Sequence, residues 1–301
     1  MSVVLLSGGT GGAKLARGLY DLLGDELAVI ANTGDDIEIY GAYVSPDPDL
    51  ITYWLADRID ERGWGIDGDT FGAMEMLREL GTAVWFQLGD RDLGFCLART
   101  RLLDAGQSLS EAHAALTRAL GVNARVIPMS DDPIRTTIRS GDQTMTLQEF
   151  LIAHGGALAI DDIRFEGAAT ASVSPGALEA LGAARAIILG PSNPIISIGP
   201  ILAIAAIRAA IEASSAPVIA VSPIVGGKVL KGPTGACLAW AGETADAAGV
   251  ARHYGRLIDA IVADEPVAGV RSHVADTWMG GSTARRQLAQ HTLELADMLI
   301  G

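Results

Sequence analysis

Ser7-Gly8-Gly9-Thr10-Gly11-Gly12-Ala13-Lys14, preceded by the apolar run Val3-Val4-Leu5-Leu6, reads as a strand passing through a tight glycine loop into a helix. Four glycines in five positions permit positive φ and let a ligand touch the backbone N–H groups. The helix beginning near Gly12 turns its positive end toward the same place. An anion, most often a phosphate, suits that position. The dinucleotide pattern G-x-G-x-x-G is met at Gly9 and Gly11 but fails at Lys14. The P-loop pattern fails as well, with Ala13 where its second glycine belongs and Leu15 in place of its magnesium-binding hydroxyl. A phosphate loop of neither standard kind is expected.

Outward from that loop, a helix to about Leu23 and an apolar strand over 26–31 lead to Asn32-Thr33-Gly34-Asp35-Asp36. Strand, helix and strand in this order make a right-handed βαβ unit, so both clusters fall on the ligand-binding edge of a parallel sheet. A stiff polar turn, Ser45-Pro46-Asp47-Pro48-Asp49, follows. Helices are expected over 50–59 and 71–80, then a strand over 83–88 that delivers Gly89-Asp90-Arg91-Asp92, then helices over 93–105 and 110–120. A strand over 125–128 precedes a hairpin of 134–139 and 144–147 around Ser140-Gly141-Asp142. Strands over 185–189 and 216–221 end in Gly190-Pro191-Ser192-Asn193 and in Ser222 to Lys228. A helix over 254–260, strands over 260–264 and 269–274, and a helix over 282–299 complete the chain. The pattern is that of an α/β, Rossmann-like, doubly wound, mostly parallel sheet.

Composition narrows the partners. The 301 residues carry a formal charge of -14 without a long basic run, which disfavours nucleic acid and anionic membranes. A bound phosphate must therefore be held locally, by amides, a few cations or a metal. Cys96 and Cys237 are too few for a disulfide framework or a cysteine-based zinc site, and a reducing cytoplasm fits best. The apolar stretch 195–211 is broken by Pro200 and carries Arg208, so a buried helix is expected there rather than a membrane span.

The carboxylates have a use beside a phosphate loop. Asp35, Asp36 and Asp49 are hard oxygen ligands, and magnesium typically takes one or two carboxylates while substrate phosphates complete its shell. Asp36 could equally serve as a structural cap. Arg91 could clamp a phosphate or an oxygen-rich ring, or pair with its neighbours Asp90 and Asp92. No H-x-x-x-H pattern occurs and Ser192 lacks a G-x-S-x-G context, so zinc hydrolysis and serine-nucleophile chemistry are disfavoured.

As a set, SGGTGGAK from Ser7, NTGDD from Asn32, SPDPDL from Ser45, RGWGI from Arg62, DTFG from Asp69, LGDRDL from Leu88, PMSDDP from Pro128, GPSNPIISIGPIL from Gly190 and VSPIVGGK from Val221 resemble the 2-phospho-L-lactate transferase family of deazaflavin coenzyme biosynthesis. The resemblance implies a Rossmann-like core from about 1–44 and 183–301, with 45–182 as a largely helical inserted region lining the acceptor site. It implies a homodimer and a magnesium-dependent transfer of a phospholactyl, phosphoenolpyruvyl or phosphoglyceryl unit. The donor would be a guanosine diphosphate bearing that acid, the acceptor the ribityl hydroxyl of a deazaflavin alcohol, and GMP the leaving group.

Carried over by motif, Asp49 and Arg91 would contact the deazaflavin. Asp35 and Asp49 would hold Mg2+, and Asp35, Asp36 and Asp49 would form the catalytic group. Gly8, Gly9, Thr10, Gly11, Gly12, Lys14, Asn32, Ser192 and Asn193 would face the nucleotide and its diphosphate. Two rivals are weighed. A related family of nucleotide-sugar-binding regulators shares the glycine loop and aspartate pair, but there the pair leads into a glycine and serine run rather than Ile37-Glu38-Ile39-Tyr40-Gly41. An NAD-type oxidoreductase suffers from the failed third glycine.

Overall fold

Val3 to Leu6 are fully buried because their strand is covered on both faces, as an unbroken apolar run in a parallel sheet requires. The computed structural model describes residues 2–300 and places this strand, β1 (Ser2–Ser7), in the interior of a seven-stranded sheet. The others are β2 (Leu27–Ala31), β3 (Arg125–Pro128), β4 (Ala184–Leu189), β5 (Val218–Val221), β6 (Ala260–Ala263) and β7 (Arg271–Val274). Their order is β3-β2-β1-β4-β5-β6-β7 and every pairing is parallel. The chain thus winds outward in both directions from β1. The crevice between β1 and β4 is the switch point where doubly wound sheets bind their ligands.

Successive side chains of β1 point to opposite faces. Val4 and Leu6 join Ile30, Ile187 and Leu189 beneath the helices Pro175–Gly182, Ala205–Glu212 and Ala247–Tyr254. Val3 and Leu5 join Leu15, Leu19 and Leu288 beneath α1 (Gly9–Leu23) and the closing helix Ser282–Ile300. Each face has its own core.

Within the stretch 45–182, β3 pairs with β2 from Ala28 opposite Arg125 to Ala31 opposite Pro128. Before β3 stand α2 (Pro46–Leu55), α3 (Gly72–Glu79), α4 (Asp90–Asp104) and α5 (Leu109–Ala119). After it comes an antiparallel sheet of Arg135–Ser140, Gln143–Thr146 and Asp162–Glu166, the expected hairpin with a third strand added.

Three other expectations differ from the structure. Residues 83–88 form no strand; Phe86 and Leu88 are buried with Val44, Met74 and Cys96, so packing accounts for their apolar character. The helix expected over 254–260 lies earlier, at Ala247–Tyr254, and stops where Gly255 takes φ +56°. The stretch 195–211 becomes two helical arms, Pro194–Ala203 and Ala205–Glu212, bent by 89°, and no single helix among the described residues is long and apolar enough to cross a membrane.

Candidate active site

The glycine loop is shaped by the loop that follows β4. A methyl group at Gly11 would overlap the Pro191 carbonyl oxygen, and one at Gly12 would overlap the Ser7 and Ser192 hydroxyls. Glycine is required there for close approach, not for φ; only Gly9, at φ +61°, uses the left-handed region. The Gly8 N–H donates to Ser192 Oγ at 3.2 Å, which joins the two loops across the switch point. Asn193 caps the following turn, accepting from the Ile195 and Ile196 N–H groups at 2.9 and 3.2 Å, while its Nδ2 is buried without a partner. Thr10 lies against Gly63. Lys14 is half-buried, and burial, followed by the neighbouring charges of Lys231 and Arg285, lowers its pKa.

Beside this loop stands a cluster of buried acids. The Gly9 N–H donates to Asp47 Oδ1 at 2.5 Å, and Asn32 Nδ2 donates to Asp47 Oδ2 at 2.9 Å and to Asp35 Oδ1 at 3.4 Å. Two carboxylates thus share one neutral amide. Burial first, then the charges of Asp47 and Asp36, raises Asp35 well above the usual carboxylate range, and burial raises Asp47 to about 6. Asp36 has both oxygens engaged, by Ser45 Oγ at 2.8 Å and Tyr43 Oη at 2.9 Å, and burial raises it to about 7.

The Arg135 guanidinium acts on Asp35 and Asp36, but it only partly offsets the burial that raises them. Asp35 and Asp47, joined through Asn32, supply carboxylate oxygens of the kind a hard divalent cation takes. Asp49, expected beside Asp35 as a metal ligand, already has a cation in contact. Both Asp49 oxygens are bound by the guanidinium of the fully buried Arg99, which already supplies the counter-charge a metal would bring. Asp49, Asp92 and Cys96 do bring ligand atoms within 4.8 Å of one another. That group is a poor metal site, because Arg99 holds Asp49, Tyr53 Oη donates to Asp92 at 2.7 Å, and burial raises the Cys96 thiol well above its ordinary range.

Asp49 has a different setting. With Tyr53, Ile66, Phe71, Phe86 and Gln148 it lines a largely apolar cavity of about 250 Å³, walled further by the exposed Trp64. Such a space fits a planar, mainly apolar ring that presents a few polar atoms. Gln148 also donates to Asp35 Oδ2 at 3.0 Å, so one side chain belongs to both the cavity wall and the acid cluster. Arg91 is exposed near the rim; its Nη1 donates to the Asp67 carbonyl and its N–H to Asp69 Oδ1, both at 2.8 Å, so its partners are not Asp90 and Asp92.

Sequence reasoning missed Asp47, Gln148 and Arg99. Asp47 stood in a quoted motif, whereas nothing local marks a glutamine in a π-turn approach or an arginine inside a helix as part of a site.

Residues 3–283 match the family model described as 2-phospho-L-lactate transferase CofD. The chain belongs to that family. A 2-phospho-L-lactate transferase of Methanosarcina mazei is 36% identical over 299 residues, covering 96% of this chain and 98% of that protein. A phosphoenolpyruvate transferase of Kitasatospora aureofaciens is 39% identical over 317 residues, covering 99% of each chain. Among solved structures, a member of the upf0052 family from Bacillus halodurans superposes with a TM-score of 0.64 at 15% identity, covering 97% of this chain and 98% of its own. That last likeness concerns the fold alone. As a CofD-family member, the protein is a phospho-acid transferase of deazaflavin coenzyme biosynthesis.

Proposed function

We propose that the protein transfers a phospholactyl, phosphoenolpyruvyl or phosphoglyceryl unit from a guanosine diphosphate donor to the ribityl hydroxyl of the deazaflavin alcohol, releasing GMP. The observation that carries this reading is the contact of Gln148 with Asp35, which sets a cavity suited to a planar ring against the acids beside the glycine loop. Donor and acceptor sites that abut are what a direct transfer needs.

In the reaction, the acceptor hydroxyl oxygen bonds to the phosphorus that carries the acid, and the bond from that phosphorus to the GMP oxygen breaks. The hydroxyl proton leaves to a carboxylate of the Asp35 and Asp36 group or to solvent. No covalent enzyme intermediate is required, since alignment and charge neutralisation supply most of the catalysis. The N–H groups of Thr10 to Gly12 and the Lys14 ammonium take the diphosphate, those of Gly8 and Gly9 being held by Ser192 and Asp47, and Ser192 and Asn193 border the nucleotide. Asn32 fixes the spacing of Asp35 and Asp47. Asp49 and Arg91 serve the acceptor. Asp35 and Asp47 would hold Mg2+, which neutralises charge on the diphosphate when bound.

Mass spectrometry of the product, after incubation with the deazaflavin alcohol, magnesium and each guanosine donor in turn, tests the reading and identifies the acid. Absence of an acceptor adduct with every donor would overturn it. We further take the protein to be a cytoplasmic homodimer, which sedimentation of the purified chain checks as twice the 31.2 kDa subunit mass.

A further inference from the structure

Arg99 of α4 lies under the cavity and is fully buried, although it is the most polar of the large side chains enclosed by the fold. Its guanidinium grips both oxygens of Asp49, Nη1 to Oδ2 at 3.0 Å and Nη2 to Oδ1, and Nη1 also donates to the Tyr43 carbonyl at 3.1 Å. The Phe95 ring centroid lies 5.4 Å from the guanidinium carbon. His113 of α5 brings Nδ1 to 3.8 Å from Asp49 Oδ1 while Nε2 meets Thr52 Oγ1 at 3.1 Å. Burial first, and Arg99 second, keep that imidazole neutral, so Arg99 is the counter-charge at Asp49.

A buried ion pair is a poor stabiliser compared with apolar residues of similar volume, so fold stability alone does not account for this one. A two-pronged grip has a geometric effect that stability does not require: it fixes the plane of the carboxylate. Each carboxylate oxygen offers two acceptor positions; the guanidinium occupies one on each, and the Cys96 thiol, donating at 3.8 Å, takes the second on Oδ2. Asp49 lines the cavity, and the second position of Oδ1 remains for a ligand there.

We propose that Arg99 is a positioning residue, holding Asp49 in one orientation so that the remaining acceptor position on Oδ1 receives an N–H or hydroxyl of the planar acceptor. This rests on the acceptor reading given above and adds to it a residue that never touches the substrate. Lysine at this place keeps the charge but, as a point donor, loses the fork.

The test is steady-state kinetics of the full-length enzyme. Arg99→Lys is expected to raise the KM for the deazaflavin alcohol about tenfold while kcat and the donor KM stay within about twofold. In an Asp49→Asn background the same change is expected to add nothing, because its effect passes through Asp49. An unaltered acceptor KM, an equal rise in both KM values, or the same effect in both backgrounds would overturn the proposal. Should Arg99→Lys not fold, Asp49→Asn combined with Arg99→Gln leaves no buried charge unmatched. An acceptor KM raised equally in Asp49→Asn alone and in the double variant then supports the role, and a further rise on adding Arg99→Gln, or a wild-type acceptor KM in both, overturns it.

Binding of the deazaflavin alcohol to the wild type, followed by the ligand's own fluorescence, tests the acceptor reading separately. If the wild type does not bind it, a crystal structure of Arg99→Lys decides the positioning role: Asp49 turned away supports it, and Asp49 unmoved overturns it.

Discussion

Asp47 and Asp49 stand two residues apart in the first turn of α2 and serve different neighbours. Residues at that spacing project about 200° apart around a helix, so they cannot share a ligand. Asp47 meets Gly9 and Asn32 on one side, and Asp49 meets Arg99 on the other. The motif was legible in the sequence, but the choice between its two acids depended on where the helix began, which residue types do not fix. Asp47→Asn is expected to cut magnesium-dependent turnover by at least about tenfold, with magnesium affinity falling in parallel when followed by titration calorimetry.

The same acids set a pH dependence. Asp36 and Asp47 have folded-state pKa values of about 7 and 6, both raised, so the native state retains protons that the unfolded chain releases from about pH 4 upward. Their contribution to stability is full below that unfolded value and is lost as the pH rises through 6 and 7. In metal-free calorimetry the Tm should therefore be higher at pH 5 than at pH 7.5, and Asp47→Asn should narrow the difference.

At the scale of elements, what could be read was decided by punctuation. Strands β1, β2 and β4 are apolar runs that end in polar turns, and each was found within a residue or two. Asp162–Glu166 was missed because Asp162, Arg164 and Glu166 put charge on alternate positions of a strand only partly covered. The helix Ala247–Tyr254 was placed too late although Asp246 caps it, accepting from the Gly249 N–H, and a glycine ends it. These signals were present but outweighed by an apolar run beyond. Helix α5 offers a clean test of capping, since Ser108 and Glu111 form a reciprocal box at its start. Ser108→Ala should cost about 1 kcal/mol in denaturant unfolding and leave kcat unchanged.

For the molecule as a whole, the parallel sheet and its ligand edge followed from the alternation of strand and helix, and the loops after β1, β2 and β4 do meet there. The apolar cavity was not legible, because its walls come from α2, the loops around Trp64 and Phe86, and Gln148, which only the long-range packing of 45–182 brings together. The amide of Gln148 spans two compartments, one shaped for a ring and one rich in carboxylates. Filling either compartment is therefore expected to perturb the other, in part through this hydrogen bond. Thermodynamic reciprocity then demands that each reactant change its companion's affinity by the same factor. Replacing Gln148 by leucine should weaken the coupling between the two dissociation constants, measured by calorimetry singly and together. In the native protein, by contrast, whichever reactant arrives second meets a surface already altered by the first.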